Sequence, residues 1–258
     1  MYRGILSAIA INRPNHLLGD KRLVRLLCLF LLLTPLYICH GQVTTSEAKY
    51  TFRNGDYSGI GKWYMGREIA HVMGFQGIGW LERTEREEEE NTTKLLRNMD
   101  IHAGDTIADI GAGSGYHVFK MAPMVGEGLV YAVDIQEEML VALRNKMRNG
   151  KHTNLALIKG SEKSANLPEN SVDKVLMVDV YHEFAYPIEM IASIKKALRP
   201  NGKLFLIEYR GEDNSVPIKR LHKMTESQAV KEMQAAGLKL QQNINNLPWQ
   251  HCMVFVKE

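Results

Sequence analysis

Asp109 stands inside a β-rich run, Thr106–Ile110, and three glycines follow it at every second place: Gly111, Gly113 and Gly115. Glycine accepts positive φ and lets a ligand approach the backbone closely. Between a strand and a helix, such a turn is a cradle for a nucleotide-like ligand. The pyrophosphate version reads G-x-G-x-x-G/A. Here that last small position is Tyr116, and Gly115 comes one place early. The Asp109 carboxylate would repel a phosphate and attract an ammonium or sulfonium. Asp134 ends a second β-rich run, 23 positions after Gly111. A carboxylate there can accept two hydrogen bonds from ribose hydroxyls. The residues therefore ask for a ligand with a ribose, positive charge and no phosphate. His182 lies just past a fourth β-rich run, Val172–Asp179, where reacting groups gather in an open α/β sheet. Its imidazole titrates near neutrality and is the best base for an acceptor that must lose a proton. The competing reading is a structural histidine at a helix start. Tyr181 joins it as a catalytic candidate and, with Glu183, as a pocket-shaping one. Tyr57, Trp63 and Tyr64 are expected to shape the same pocket from a lid, and Trp249 and His222 are candidates for its acceptor side.

The elements that must hold these groups alternate after residue 104. β-rich runs at Thr106–Ile110, Leu129–Asp134, Leu155–Lys159, Val172–Asp179 and Lys203–Glu208 are separated by helical stretches near Tyr116–Val125, Gln136–Asn149 and Ile188–Leu198. That alternation predicts a parallel sheet with helices on both faces. The runs are almost continuously apolar, as strands buried on both sides should be. A helix near Thr225–Ala236 ends at Gly237, and two further runs, 238–244 and 251–258, read as a hairpin at one edge. Ahead of this region, residues 57–80 read as a lid with one short helix around Arg67–Met73. Residues 81–99 read as a helix whose acidic run, Glu87–Glu90, is a solvated face. Asn91-Thr92-Thr93 fits a glycosylation acceptor.

S-adenosylmethionine has the properties asked of the ligand. In "DIGAGSGY", "VYAVDIQEEML", "GSEKSANLPENSVDKVLMVDVYHEF" and "ALRPNGKLFLIEY" the chain resembles the class I S-adenosylmethionine-dependent methyltransferases, most of all the ubiquinone/menaquinone-biosynthesis C-methyltransferase type. The resemblance covers about residues 100–258. It implies a doubly wound, mostly parallel seven-stranded α/β sheet with a C-terminal antiparallel strand. It implies that Asp109 serves the methionyl amino group, directly or through water, and that Gly111, Gly113 and Gly115 pass under the methionyl chain. Asp134 would hold the ribose, Ile135 would pack on the adenine, and Ser161 or Glu162 would sit near the adenine amine, with Asp179 also on the cofactor side. Relatives place an acidic residue straight after the glycine at position 160, where this chain has serine and then glutamate.

The domain plan is a leader (1–41), a linker and N-terminal lid (42–99) and the methyltransferase-like domain (100–258). In the leader, Lys21, Arg22 and Arg25 precede an apolar run from Leu26 to Ile38, the order of a secretory signal peptide. This predicts export or a periplasmic location, with membrane association through this segment as the partner reading. A buried helix and a cytoplasmic or membrane-anchored protein are the alternatives, and the cofactor is made inside cells. The formal net charge is +3, but the leader carries five bases against Asp20 and leaves the remainder one charge negative. A near-neutral domain has no strong hold on a polyphosphate backbone, so a small-molecule acceptor is expected rather than nucleic acid. Cys28, Cys39 and Cys252 allow neither a disulfide framework nor a zinc cluster, and no metal site is expected. A non-catalytic cofactor-binding module and an NAD(P)-dependent oxidoreductase are the competing functions, the latter disfavoured by Asp109 and Tyr116.

Overall fold

The computed structural model describes residues 49–150 and 152–258. The leader and the first linker residues lie outside them. Among the described residues no helix is long and apolar enough to cross a membrane.

A small antiparallel sheet comes first: β1 (Tyr50–Phe52), β2 (Gly59–Tyr64) and β3 (Arg67–Ala70). The helix expected around Arg67–Met73 is therefore a strand. Met65 and Gly66 form a two-residue turn with φ of 49° and 98°, between the paired Tyr64 and Arg67. Two positive φ values match the right-handed twist of a tight hairpin. A 3-10 segment, Phe75–Glu82, follows. The single helix expected over residues 81–99 is split into α1 (Arg86–Glu90) and α2 (Thr92–Asn98). Asn91 breaks it with a left-handed φ of 55°, and its side chain caps α2 by accepting from Lys94 N–H.

The main sheet then builds as expected. Its strands are β4 (Thr106–Ile110), β5 (Leu129–Asp134), β6 (Leu155–Lys159), β7 (Val172–Val178), β8 (Leu198–Tyr209), β9 (Leu238–Asn243) and β10 (Gln250–Lys257). The helices are α3 (Val118–Met121), α4 (Glu137–Gly150), α5 (Pro187–Ala197) and α6 (Glu226–Ala235). The strand order is β6-β5-β4-β7-β8-β10-β9, with β10 antiparallel to both of its neighbours. Alternate side chains of each strand feed two cores. Ile110, Val175, Met177, Leu204 and Phe255 join Ile191 of α5 and Met233 of α6 on one face. Ile107, Leu176, Phe205 and Val254 join Leu95 of α2, Met121 of α3 and Leu143 of α4 on the other. Both faces are covered, which is why the strands read as unbroken apolar runs. The strand order reverses between β4 and β7, and in such sheets the ligand crevice lies at that switch, beyond the carboxyl ends of the strands.

Candidate active site

A cavity of about 440 Å³ opens at that switch. The turn after β4 forms its floor, and Gly111, Gly113 and Gly115 all have positive φ. At Gly113 (φ +52°) the left-handed backbone favours glycine, and a Cβ would come 2.6 Å from Leu81 Cδ1, a side-chain end that would have to move aside. The Gly113 N–H donates to Asp134 Oδ2 at 2.9 Å, and the Gln136 N–H donates to Oδ1 at 2.8 Å. Burial raises the Asp134 pKa, while these two backbone donors pull it back. Asp109 is buried beneath the turn, outside the cavity lining, and its Oδ2 has no hydrogen-bond partner. Burial pushes its carboxyl up to about 7, against the pull of Arg86 and with a push from Asp134. Asp179 follows β7 in a left-handed conformation (φ 48°). Its Oδ2 accepts from Gln250 at 2.7 Å and its Oδ1 is unpartnered. Burial and the neighbouring Glu90 and Glu208 carboxylates raise its pKa well above the usual range. A strained non-glycine residue with an orphaned carboxylate oxygen is what a ligand site retains.

Of the residues singled out from the sequence, Gly111, Gly113, Asp134, Ile135, Ser161, Glu162, Asp179 and His182 line the cavity. Ser161 uses its hydroxyl on the Ser164 N–H at 3.1 Å, closing its own turn. Gly115 lies deeper, where a Cβ would strike Leu143 and Phe119 at 2.5 Å, so it serves packing of the turn on the helices.

The acceptor end is built after β7 and β8. His182 Nδ1 lies 2.6 Å from Glu208 Oε2, and His182 Nε2 lies 3.0 Å from His222 Nδ1. Glu208 is fully buried and also accepts the N–H groups of Tyr181 and His182. Burial presses the His182 imidazole towards its neutral form, and the Glu208 carboxylate outweighs this and raises its pKa. Arg67 fixes the turn from outside: Nη1 donates to the His182 carbonyl at 3.0 Å, while Nε and Nη2 grip Glu232 of α6 at 2.8 and 2.9 Å.

Several expectations are corrected here. Tyr181 is buried and donates to Glu232 at 2.7 Å, so its hydroxyl is spent on that ion pair rather than turned to the cavity. Tyr57 is 98% exposed, and neither Trp63 nor Tyr64 lines the cavity. Val72, Met73, Trp80 and Leu81 form the lid instead. Trp249 stands outside the lining and packs towards Tyr209, whereas His222 is in it. The acidic run is solvated only in part. Glu90 is 2% exposed, pairs with Arg83 and Arg86 at 2.6 Å and accepts the Tyr209 hydroxyl at 2.8 Å. Sequence reasoning also missed Gln136, whose side chain accepts from Phe75 N–H at 2.8 Å and donates to the Met73 carbonyl at 3.0 Å. Met73 N–H donates in turn to Glu183 Oε1 at 3.0 Å, and Glu82 meets Lys146 of α4 at 2.7 Å. Residues 73–82 are thus a strap tied down at both ends.

Residues 101–251 match the protein-family profile described as "Methyltransferase domain". The demethylmenaquinone methyltransferase of Shouchella clausii (strain KSM-K16) is 26% identical over 114 residues, covering 44% of this chain and 48% of that protein. The tRNA U34 carboxymethyltransferase of Pseudoalteromonas translucida (strain TAC 125) is 32% identical over 138 residues, covering 51% and 41%. The chain thus spans about half the length of these curated relatives. Among solved structures, a SAM-dependent methyltransferase from Aquifex aeolicus superposes with a TM-score of 0.67 at 25% identity, covering 71% of this chain and 98% of that one.

Proposed function

We propose, since this chain belongs to the methyltransferase domain family, that it moves a methyl group from S-adenosylmethionine to a small molecule seated between the strap and His222. The observation that carries the reading is the pair of buried carboxylates about the glycine turn. Asp134 lines the cavity, and Asp109 keeps an unpartnered oxygen beneath its floor. Carboxylates in that position fit a cationic, ribose-bearing cofactor and oppose a pyrophosphate. When bound, the cofactor supplies an electrophilic methyl group on sulfonium. The protein's own contribution is alignment of the acceptor, exclusion of water by the strap and removal of the acceptor's proton at the end of the cavity where His182 stands. The cavity's enclosure beneath the strap and the near-neutral charge support a small acceptor over a nucleic acid. Incubating a cell extract with methyl-labelled cofactor and identifying the labelled product tests this. Label recovered only in RNA or protein would overturn the small-molecule reading.

Asp134→Ala is expected to weaken cofactor binding by about 1.5–3 kcal/mol, the scale for hydrogen bonds to a charged group. That is roughly a 10- to 150-fold rise in Kd. Titration calorimetry, with a thermal melt to confirm folding, checks it; unchanged affinity would remove Asp134 from the site.

Asp109 gives cofactor binding a pH dependence of definite sign. With its carboxyl at about 7, Asp109 is largely protonated in the free protein below that pH. An ammonium partner requires the ionised form, so binding must then release a proton. Affinity should fall with acidification below pH 7, by up to about tenfold per unit. Calorimetry at pH 6 in two buffers of different ionisation enthalpy should count about one proton released. Asp109→Asn should flatten the profile, and a parent profile that is already flat would sink the assignment.

A further inference from the structure

Three donor atoms meet at the acceptor end of the cavity. His182 Nε2 and His222 Nδ1 are 3.0 Å apart, Glu183 Oε1 is 3.8 Å from the first, and it is 3.6 Å from the second. The circle through these three points has a radius of roughly 2.0 Å, the length of a bond from zinc to imidazole or carboxylate. A tetrahedron with bonds of about 2.0–2.2 Å has edges of about 3.3–3.6 Å, so the three donors need shift by only a few tenths of an ångström to lift the ion out of their plane and leave it a fourth position. His182, Glu183 and His222 all line the cavity, so a fourth position would face the acceptor.

The surroundings are those of a ligand set as well. A metal-binding histidine commonly donates its other ring N–H to a carboxylate, which fixes its tautomer and orientation. Glu208, fully buried, stands 2.6 Å from His182 Nδ1. Ligating carboxylates are themselves held by hydrogen bonds, and Glu183 Oε1 accepts the strap's Met73 N–H. His182 and Glu183 are neighbours in a 3-10 turn whose carbonyl at 182 is pinned by Arg67, so both side chains keep one aim. Two imidazoles and one carboxylate suit a divalent transition ion of borderline softness rather than magnesium or calcium, which take oxygen ligands.

We infer that His182, Glu183 and His222 form a three-ligand site for a divalent transition cation, zinc in the first place, whose open position takes the acceptor's reacting atom. The cation's role rests on the methyl-transfer reading; its binding does not. The acceptor class that follows is a hydroxyl or thiol whose proton becomes more acidic on the cation. The acceptor gives that proton to solvent, and its lone pair forms the new bond to the methyl carbon. The sulfur–methyl bond breaks, its electron pair stays on sulfur, and the sulfonium becomes a neutral thioether.

The test uses the full chain without a polyhistidine tag, stripped with a chelator and titrated with zinc chloride by calorimetry. Cobalt(II) absorption gives an independent reading of coordination. One zinc per chain is expected, with His222→Ala and Glu183→Gln each weakening it about 100-fold or more and Glu208→Gln about 10- to 100-fold, the range for outer partners. Cofactor affinity should hold in the Glu183 and His222 variants. No uptake by the folded parent protein, or equal uptake by the parent and both ligand variants, would overturn the site. Zinc bound without any methyl transfer would instead count against the methyltransferase reading and leave the site standing.

Discussion

Replacing His182 by alanine is expected to lower the methyl-transfer rate by about 10²–10⁴-fold, the range for a group that handles a proton in the rate-limiting step. The same loss is expected whether the imidazole takes the proton itself or orients a cation that makes it acidic. Cofactor affinity should change little, because the turn after β4 and Asp134 lie on other strands. The alanine variant should also melt on the order of 10 °C lower, since losing one member of a buried charged pair costs about 3–5 kcal/mol. The partner left behind is Glu208, with no exposed surface and its Oε2 facing the empty place. His182→Asn separates the two effects. Its amide nitrogen stands about where Nδ1 did and can still donate to Glu208, so stability should largely return while the rate stays low. Single-turnover rates at saturating cofactor, with melts of all three proteins, decide the matter. A parent-like rate in either variant would leave His182 a purely structural role.

Gly113→Val is expected to abolish cofactor binding. The position has φ +52°, which costs a β-branched residue about 1–3 kcal/mol. The added side chain would also meet Leu81 of the strap at 2.6 Å and load the turn whose N–H is donated to Asp134. Backbone strain alone could lower stability without touching the ligand, so Gly126→Val is the control. Gly126 also has positive φ (+56°), meets only Ala103 at 3.6 Å and stands outside the cavity lining. The control should lose stability yet bind cofactor as the parent does. Calorimetry showing undiminished affinity in the Gly113 variant would remove the turn from the site.

What the sequence disclosed follows from how far each interaction reaches. The strands and the glycine turn were legible because their signals are local: unbroken apolar runs for a sheet covered on both faces, and positive φ at fixed offsets. The hairpin at Met65–Gly66 had a readable signal too, a two-residue loop ending in glycine, but the glycines around it obscured the period of the short strands. The pairings among the charged residues could not be found this way. Arg67 meets Glu232 across 165 positions, and His182 meets His222 across 40. Arg83, Arg86 and Glu90 form a buried cluster in text that reads as a solvated helix. Composition treats such residues as surface, and only the fold brings opposite charges together to make their burial tolerable.

The strap over the cavity also has a kinetic meaning. Its near end hangs on Gln136 and Glu183, three hydrogen bonds in all, and the far end on Glu82 and Lys146. On the methyl-transfer reading, spent cofactor would leave only after such a fastening loosens, and lid opening of this sort runs on the microsecond to millisecond scale and limits turnover in many enzymes. Gln136 spends both polar ends of its side chain on the strap, so shortening it would alter how long the ligand dwells rather than how well the reacting atoms are aligned. Glu183 holds Met73 N–H with the same oxygen that faces the two imidazoles, so residence time and chemical competence are coupled there and separable only at Gln136.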